Sequence, residues 1–255
     1  MKKFTFGLKK SKPEPIDNVV SFNYEKVDMP SQFSLKDRVK QVYDQLSLNA
    51  CSANAAANFL SLSDKSNVLK CDISRLFLYF CTRWLDNNKM LPVEDNGATL
   101  KSVFTAINTY HYIDEVKYPY EIEKVDSIPP SEVFIEALTV NKSPIVCYRQ
   151  IMPCRASLKY ILYKMQQPIL CGIMVYSNFI RLTKEDDILR LPSPSDELLG
   201  GHAVCIISFD DETDTFEILN SHGSKFANDG YFRIKAEYLL NKELSFEFYT
   251  VNTGC

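Results

Sequence analysis

The sequence is poor in several features, and each shortage excludes something. No apolar run in its 255 residues is long enough for a membrane span. The opening, Met1 to Pro13, carries lysines with no apolar core behind them, so it reads neither as a secretory leader nor as an anchor. Lys and Arg number 29 against 32 Asp and Glu, a net charge of −3, and they are scattered, which argues against nucleic acid or an acidic membrane as partner. There are only three histidines, and none of the eight cysteines forms a C-x-x-C pair, so no metal and no cofactor is expected. Internal repeats and low-complexity tracts are absent as well. With no leader in sight, the cysteines are expected to be free thiols in a reducing compartment, most of them packed as small hydrophobes.

Apolar residues make up 45% of the chain, enough for a sizeable core. Residues 1–30 are polar, with Pro13, Pro15 and Pro30, and read as an extended arm. Ala50 to Leu62 is alanine-rich with helical spacing, and Ile73 to Trp84 is an apolar helix that has to be buried. Thr99 to Tyr110, after the turn signal Asp95-Asn96-Gly97, predicts a third helix. Beyond Pro144 the character changes. Strands are predicted at Ser143–Arg149 and Pro168–Val175, with a helix between them at Leu158–Gln166. More strands follow at His202–Phe209, Thr215–Asn220, Gly230–Ile234 and Ser245–Val251. Helix-rich and strand-rich halves in succession predict an α+β chain of two lobes, a helical one at about 45–140 and a β lobe at about 141–255, with a cleft between them.

Three places carry chemistry. Cys51 opens the alanine-rich helix, where the N-terminal end favours a thiolate, although position alone favours a packed core thiol. His202 follows Gly200-Gly201 at the front of an apolar strand. Asp210 to Asp214 forms the next turn, so facing residues have numbers summing to about 422–424, which sets Asn220 roughly across from His202. An imidazole oriented by a side-chain amide is what a general base needs. Gln45, six residues ahead of Cys51, can offer its amide to an oxyanion, with the Cys51 N–H as the second donor.

Cys, His and Asn in that chain order, with Gln ahead of the Cys, resemble the papain-like cysteine peptidases. The likeness extends along most of the chain. Val42 to Ala55 (VYDQLSLNACSANA) is similar to the V-Y-D-Q-G-x-x-G-S-C-T-A-N-A segment of the branch found in bacteria and large DNA viruses. Asp95 to Leu100 with Tyr118-Pro119-Tyr120, Gly200 to Val204, and Asn220 to Ile234 match further motifs in order. The resemblance implies a papain-like fold with a barrel-like antiparallel β lobe, and a peptidase domain over residues 31–255. It also implies a monomer acting on protein or peptide substrates. Gly97 is expected at the substrate groove, and Gly201 beside the pocket next to the cleavage point. Location follows as cytoplasmic, or within a virion if the source is viral.

Some positions depart from the family pattern. Asn49 and Ala50 replace Gly and Ser before the nucleophile, Leu46 replaces the Gly after Gln45, and Leu48 replaces a cysteine that is disulfide-bonded in cathepsins. His222 stands where a shielding tryptophan is usual, and Phe226 replaces a second one. An imidazole at 222 is expected to leave the Asn220–His202 bond wetter and weaker. The arm is too short for an independent inhibitory prodomain, but long enough to lie over the cleft as a strap. The expected chemistry is peptide hydrolysis through a Cys51 thioester. A binding module that has lost activity and a Cys–His acyl transferase are the alternatives.

Overall fold

Alanine-rich α1 (Cys51–Ser63) is the element around which the rest is arranged, and it is buried on nearly every side. A helix with that profile belongs at the centre of a protein. The computed structural model describes residues 4–12, 19–20, 28–64, 72–140 and 147–251. Pro13, Pro15, Cys71, Cys255 and the first part of the strand expected from Ser143 lie outside them.

The helices are α1, α2 (Arg75–Asp86), α3 (Leu100–Tyr110), α4 (Ser131–Val140), α5 (Arg155–Tyr163) and α6 (Ala236–Leu240). Side chains cap three of them: Ser74 accepts from Phe77 N–H, Thr99 from Ser102 N–H, and Cys154 from Ser157 N–H. The strands are β1 (Leu8–Lys9), β2 (Val19–Val20), β3 (Gln32–Ser34), β4 (Ala98–Thr99), β5 (Tyr148–Ile151) and β6 (Ile169–Tyr176). They continue with β7 (Ile188–Leu189), β8 (Leu198–Asp210), β9 (Thr215–Leu219), β10 (Tyr231–Lys235) and β11 (Ser245–Val251).

One sheet runs β2-β5-β11-β6-β8-β9-β10-β7, with β3 paired to β8. Helices and a mixed sheet together give the expected α+β fold. The barrel-like closure does not hold. Among the described residues the sheet is open, and its two end strands, β2 and β7, each pair in parallel with one neighbour. Closure depends on stagger and tilt across all the strands, which strand count does not reveal. Strands β6 and β8 are buried along most of their length because α1 and α5 pack against them. They therefore read as continuous apolar runs rather than alternating ones.

The structure adds elements that the sequence did not announce. Helix α4 was not anticipated, and the helix expected at 158–166 begins earlier, at the Cys154 cap. Two- and three-residue strands such as β1, β3 and β4 are too short to show a period. Five described cysteines (Cys51, Cys81, Cys154, Cys171 and Cys205) are free thiols. Cys147, however, is disulfide-bonded, which corrects the expectation of thiols throughout.

Candidate active site

Cys51 is the first residue of α1, and no side chain caps that end of the helix. The backbone N–H groups there remain available. Those of Ser52 and Cys51 itself, together with Ala203 and Gly7, point at the thiol and favour its anion. Burial outweighs them and pushes the thiol up. Ala203 is the residue after His202, so α1 brings its front end against β8 at the histidine.

His202 is fully buried, and its Nε2 lies 2.8 Å from Asn220 Oδ1. An amide oxygen only accepts, so Nε2 carries the proton. His202 Nδ1 has no hydrogen-bond partner among the described residues. Desolvation lowers the imidazole to about 4, against a smaller opposing effect from Asn220.

The hairpin register differs in detail from the expectation. Pairs such as Phe209–Phe216 shift at a bulge to Cys205–Leu219, so Asn220 continues toward Val204 and reaches His202 diagonally rather than squarely. Diagonal neighbours remain within reach of a side-chain amide. The contact is there, and the geometry behind it is corrected.

Gln45 is held at both ends. Its Oε1 accepts from Ser221 Oγ at 2.6 Å, and its Nε2 donates to Leu48 O at 2.9 Å. The same Nε2 faces Thr5 O and Thr5 Oγ1, each at 3.3 Å. Ser221 is thus a supporting residue that sequence reasoning passed over, although it directly follows Asn220. Leu46, in place of the usual glycine, takes φ 56°, the left-handed region where a side chain is strained.

Residues 4–12 of the arm run through this cleft. Gly7 bridges to Gly201 on one side, and β1 pairs with β4 on the other, aligning Leu8 with Ala98. A Cβ on Gly97 would meet Gly7 O at 1.6 Å, and one on Gly201 would meet Leu8 O at 2.4 Å. Both glycines therefore have the arm's backbone pressed onto them. Phe4 packs on His222, and the edge of Phe6 meets His202 with ring centroids 5.6 Å apart. Farther along, Ser11 N and Oγ donate to the Glu247 carboxylate at 2.6 and 2.7 Å. The alternation of Phe4, Phe6 and Leu8 with Thr5 and Gly7 is the one sequence signal of this half-buried strand.

His222 is buried, and with Phe4, Phe6, Phe179 and Phe226 it encloses the Asn220–His202 bond. The expectation of a wetter bond is therefore corrected: aromatic side chains from the arm and the 179 region provide the cover. Phe179 had no signal in sequence. Among the described residues no cluster of three metal-ligating side chains occurs, and no helix is long and apolar enough to cross a membrane.

Comparison with known proteins agrees with this geometry. Residues 25–247 match the family described as papain family cysteine protease. An uncharacterized peptidase C1-like protein of Acanthamoeba polyphaga mimivirus is 27% identical over 272 residues, spanning 96% of this chain and 86% of its own. The crystal structure of xylellain, a cysteine protease from Xylella fastidiosa, superposes with a TM-score of 0.80 at 24% identity, covering 100% of this chain and 98% of that one. Procathepsin B S9 from Trypanosoma congolense gives 0.72 at 17% identity, over 98% and 87% of the two chains. At these identities the structural likeness is one of fold.

Proposed function

We propose, from the premise that this chain belongs to the papain family of cysteine proteases, that Cys51, His202, Asn220 and Gln45 carry its peptidase chemistry. The chain is a cysteine-type peptidase with a papain-like fold, and its substrates are proteins or peptides. The observation that supports the residue assignment is the buried Asn220–His202 hydrogen bond beside a cysteine at an uncapped helix front.

In this reading the Cys51 proton passes to His202 Nδ1, and the sulfur attacks the substrate carbonyl carbon. The oxyanion takes hydrogen bonds from Gln45 Nε2 and Cys51 N–H. The C–N bond then breaks, and His202 gives its proton to the departing amine, leaving a thioester on Cys51. Water, deprotonated by His202, attacks the thioester to release the acid and restore the thiol. Asn220 holds the ring in the required tautomer throughout.

The arm supports an endopeptidase. One continuous strand passes Cys51 with residues on both sides, from Phe4 at His222 to Ser11 at Glu247, so the groove accepts a chain extending in both directions. The same strand occupies the Gln45 amide, so we assign it a blocking role. An epoxide-type thiol inhibitor, with mass-spectrometric mapping, tests the reading. Cys51 should react ahead of the other free cysteines, and a peptide library should be cut internally. Labelling without cleavage would indicate an acyl transferase, and no preference for Cys51 a binding module.

A further inference from the structure

Asn220 has two ends, and only its oxygen faces His202. Its Oδ1 accepts from His202, while its Nδ2 lies 3.1 Å from Nδ1 of His222. An amide nitrogen only donates, so His222 Nδ1 has to be the acceptor and carries no proton. The hydrogen bonds therefore run one way: His202 Nε2–H to Asn220 Oδ1, then Asn220 Nδ2–H to His222 Nδ1. Reversing the Asn220 amide would put its NH₂ against the protonated Nε2 and break both links.

The two imidazoles are also stacked, with ring planes 2° apart and centroids 4.8 Å apart. Two cations at that distance in a buried site repel, so the pair holds one proton more readily than two. During the reaction His202 is the ring that becomes imidazolium, which keeps His222 neutral and accepting when the amide has to be held. Aromatic rings of Phe4, Phe6, Phe179 and Phe226 surround His222. Titratable groups facing it include His202 on β8, stacked on its ring, and Asp44, whose backbone bridges to it.

We infer that His222 is a positioning residue: its neutral ring fixes the Asn220 amide, and its protonation in acid releases Asn220 from His202. This rests on the catalytic reading of His202 and Asn220. It gives the residue in the usual tryptophan position a directional role that an indole, which has no ring acceptor, cannot fill.

The test uses the full chain with ¹⁵N-labelled histidine. Long-range proton–nitrogen spectra should show His222 at neutral pH with Nδ1 bare and Nε2 protonated, and titration of that ring should move the Asn220 side-chain amide signals. A proton on Nδ1 at neutral pH would overturn the inference. Iodoacetamide alkylation of Cys51 supplies the kinetic arm. His222→Phe keeps the aromatic volume but removes the acceptor. It should slow the reaction at neutral pH roughly tenfold, the effect of one hydrogen bond, and remove one protonation from the acid limb. His222→Gln restores an acceptor and should recover part of the rate. Equal slowing in both variants, or an unchanged acid limb in the Phe variant, would show a merely structural role and sink the inference. The tautomer is read without any reaction at Cys51, so failure of the catalytic reading is distinguishable from failure of this one.

Discussion

Burial acts on Cys51 and His202 in opposite directions, raising the thiol and lowering the imidazole, so both are driven toward their neutral forms while the arm lies over them. For His202 this has a consequence for stability. Its pKa falls from 6.5 to about 4, so below pH 6.5 the unfolded chain binds a proton that the folded chain still refuses. The contribution is whole above pH 6.5 and is lost as pH falls toward 4, by up to on the order of 3 kcal/mol. Urea midpoints across that range should decline more steeply for the native protein than for His202→Gln. Parallel declines would place the acid sensitivity elsewhere. At this scale the sequence was informative: the Asn220–His202 contact and the place of Cys51 at a helix front were legible because ordered motifs carry them. Ser221, whose hydroxyl holds Gln45, was not, because a serine hydroxyl's partner across a fold leaves no mark on spacing.

Between elements, Arg75 joins α2 to the loop that carries Gln45. Its guanidinium lies between the rings of Tyr43 and Tyr120, 4.3 and 4.1 Å from their centroids. It donates to Glu115 at 2.9 Å and, from Nη1, to Asn54 in α1 at 2.9 Å. Removing it strands a half-buried carboxylate and two ring faces. Arg75→Met should therefore lower unfolding free energy by about 3 kcal/mol in urea titration. Arg75→Lys should recover less than half of that, since an ammonium cannot fork toward both partners while lying flat between rings. Full recovery by lysine would mean charge alone matters there. The cap of α2 permits a second check. Ser74 accepts from Phe77 N–H and donates to Tyr118 O at 2.6 Å, so Ser74→Ala should cost about 1–2 kcal/mol by the same measurement. The long helices α1, α2 and α3 were legible from alanine content, apolar spacing and the turn signal before α3, whereas β1 and β4 were not, since two residues define no pattern.

Across the whole molecule, the proposed blocking role of the arm can be tested through its anchors. The arm is held by backbone pairing to β4, by the bridge to Gly201, by Thr5 on Leu48 O at 2.6 Å, and by Ser11 on Glu247. At Gly7 the arm is closely packed: a Cβ there would meet Asn49 Cβ at 2.4 Å. Gly7→Val should therefore loosen the strap by the few kcal/mol that overpacking costs, and Cys51 alkylation should accelerate about tenfold or more. Alkylation at the native rate would show that the strap leaves the thiol accessible.

The sequence by itself determined the family and the broad fold: a cysteine at a helix front, a histidine and asparagine close on the same sheet, and an α+β order of elements. These follow from local spacing, which the chain carries wherever it folds. Tertiary structure decided the rest. It placed a polar arm in the groove, turned Asn220 diagonally onto His202 through a bulge, left the sheet open, and stacked His222 on His202. Each depends on which distant surfaces meet, and that is set by the packing of α1 against β8 rather than by any window of residues.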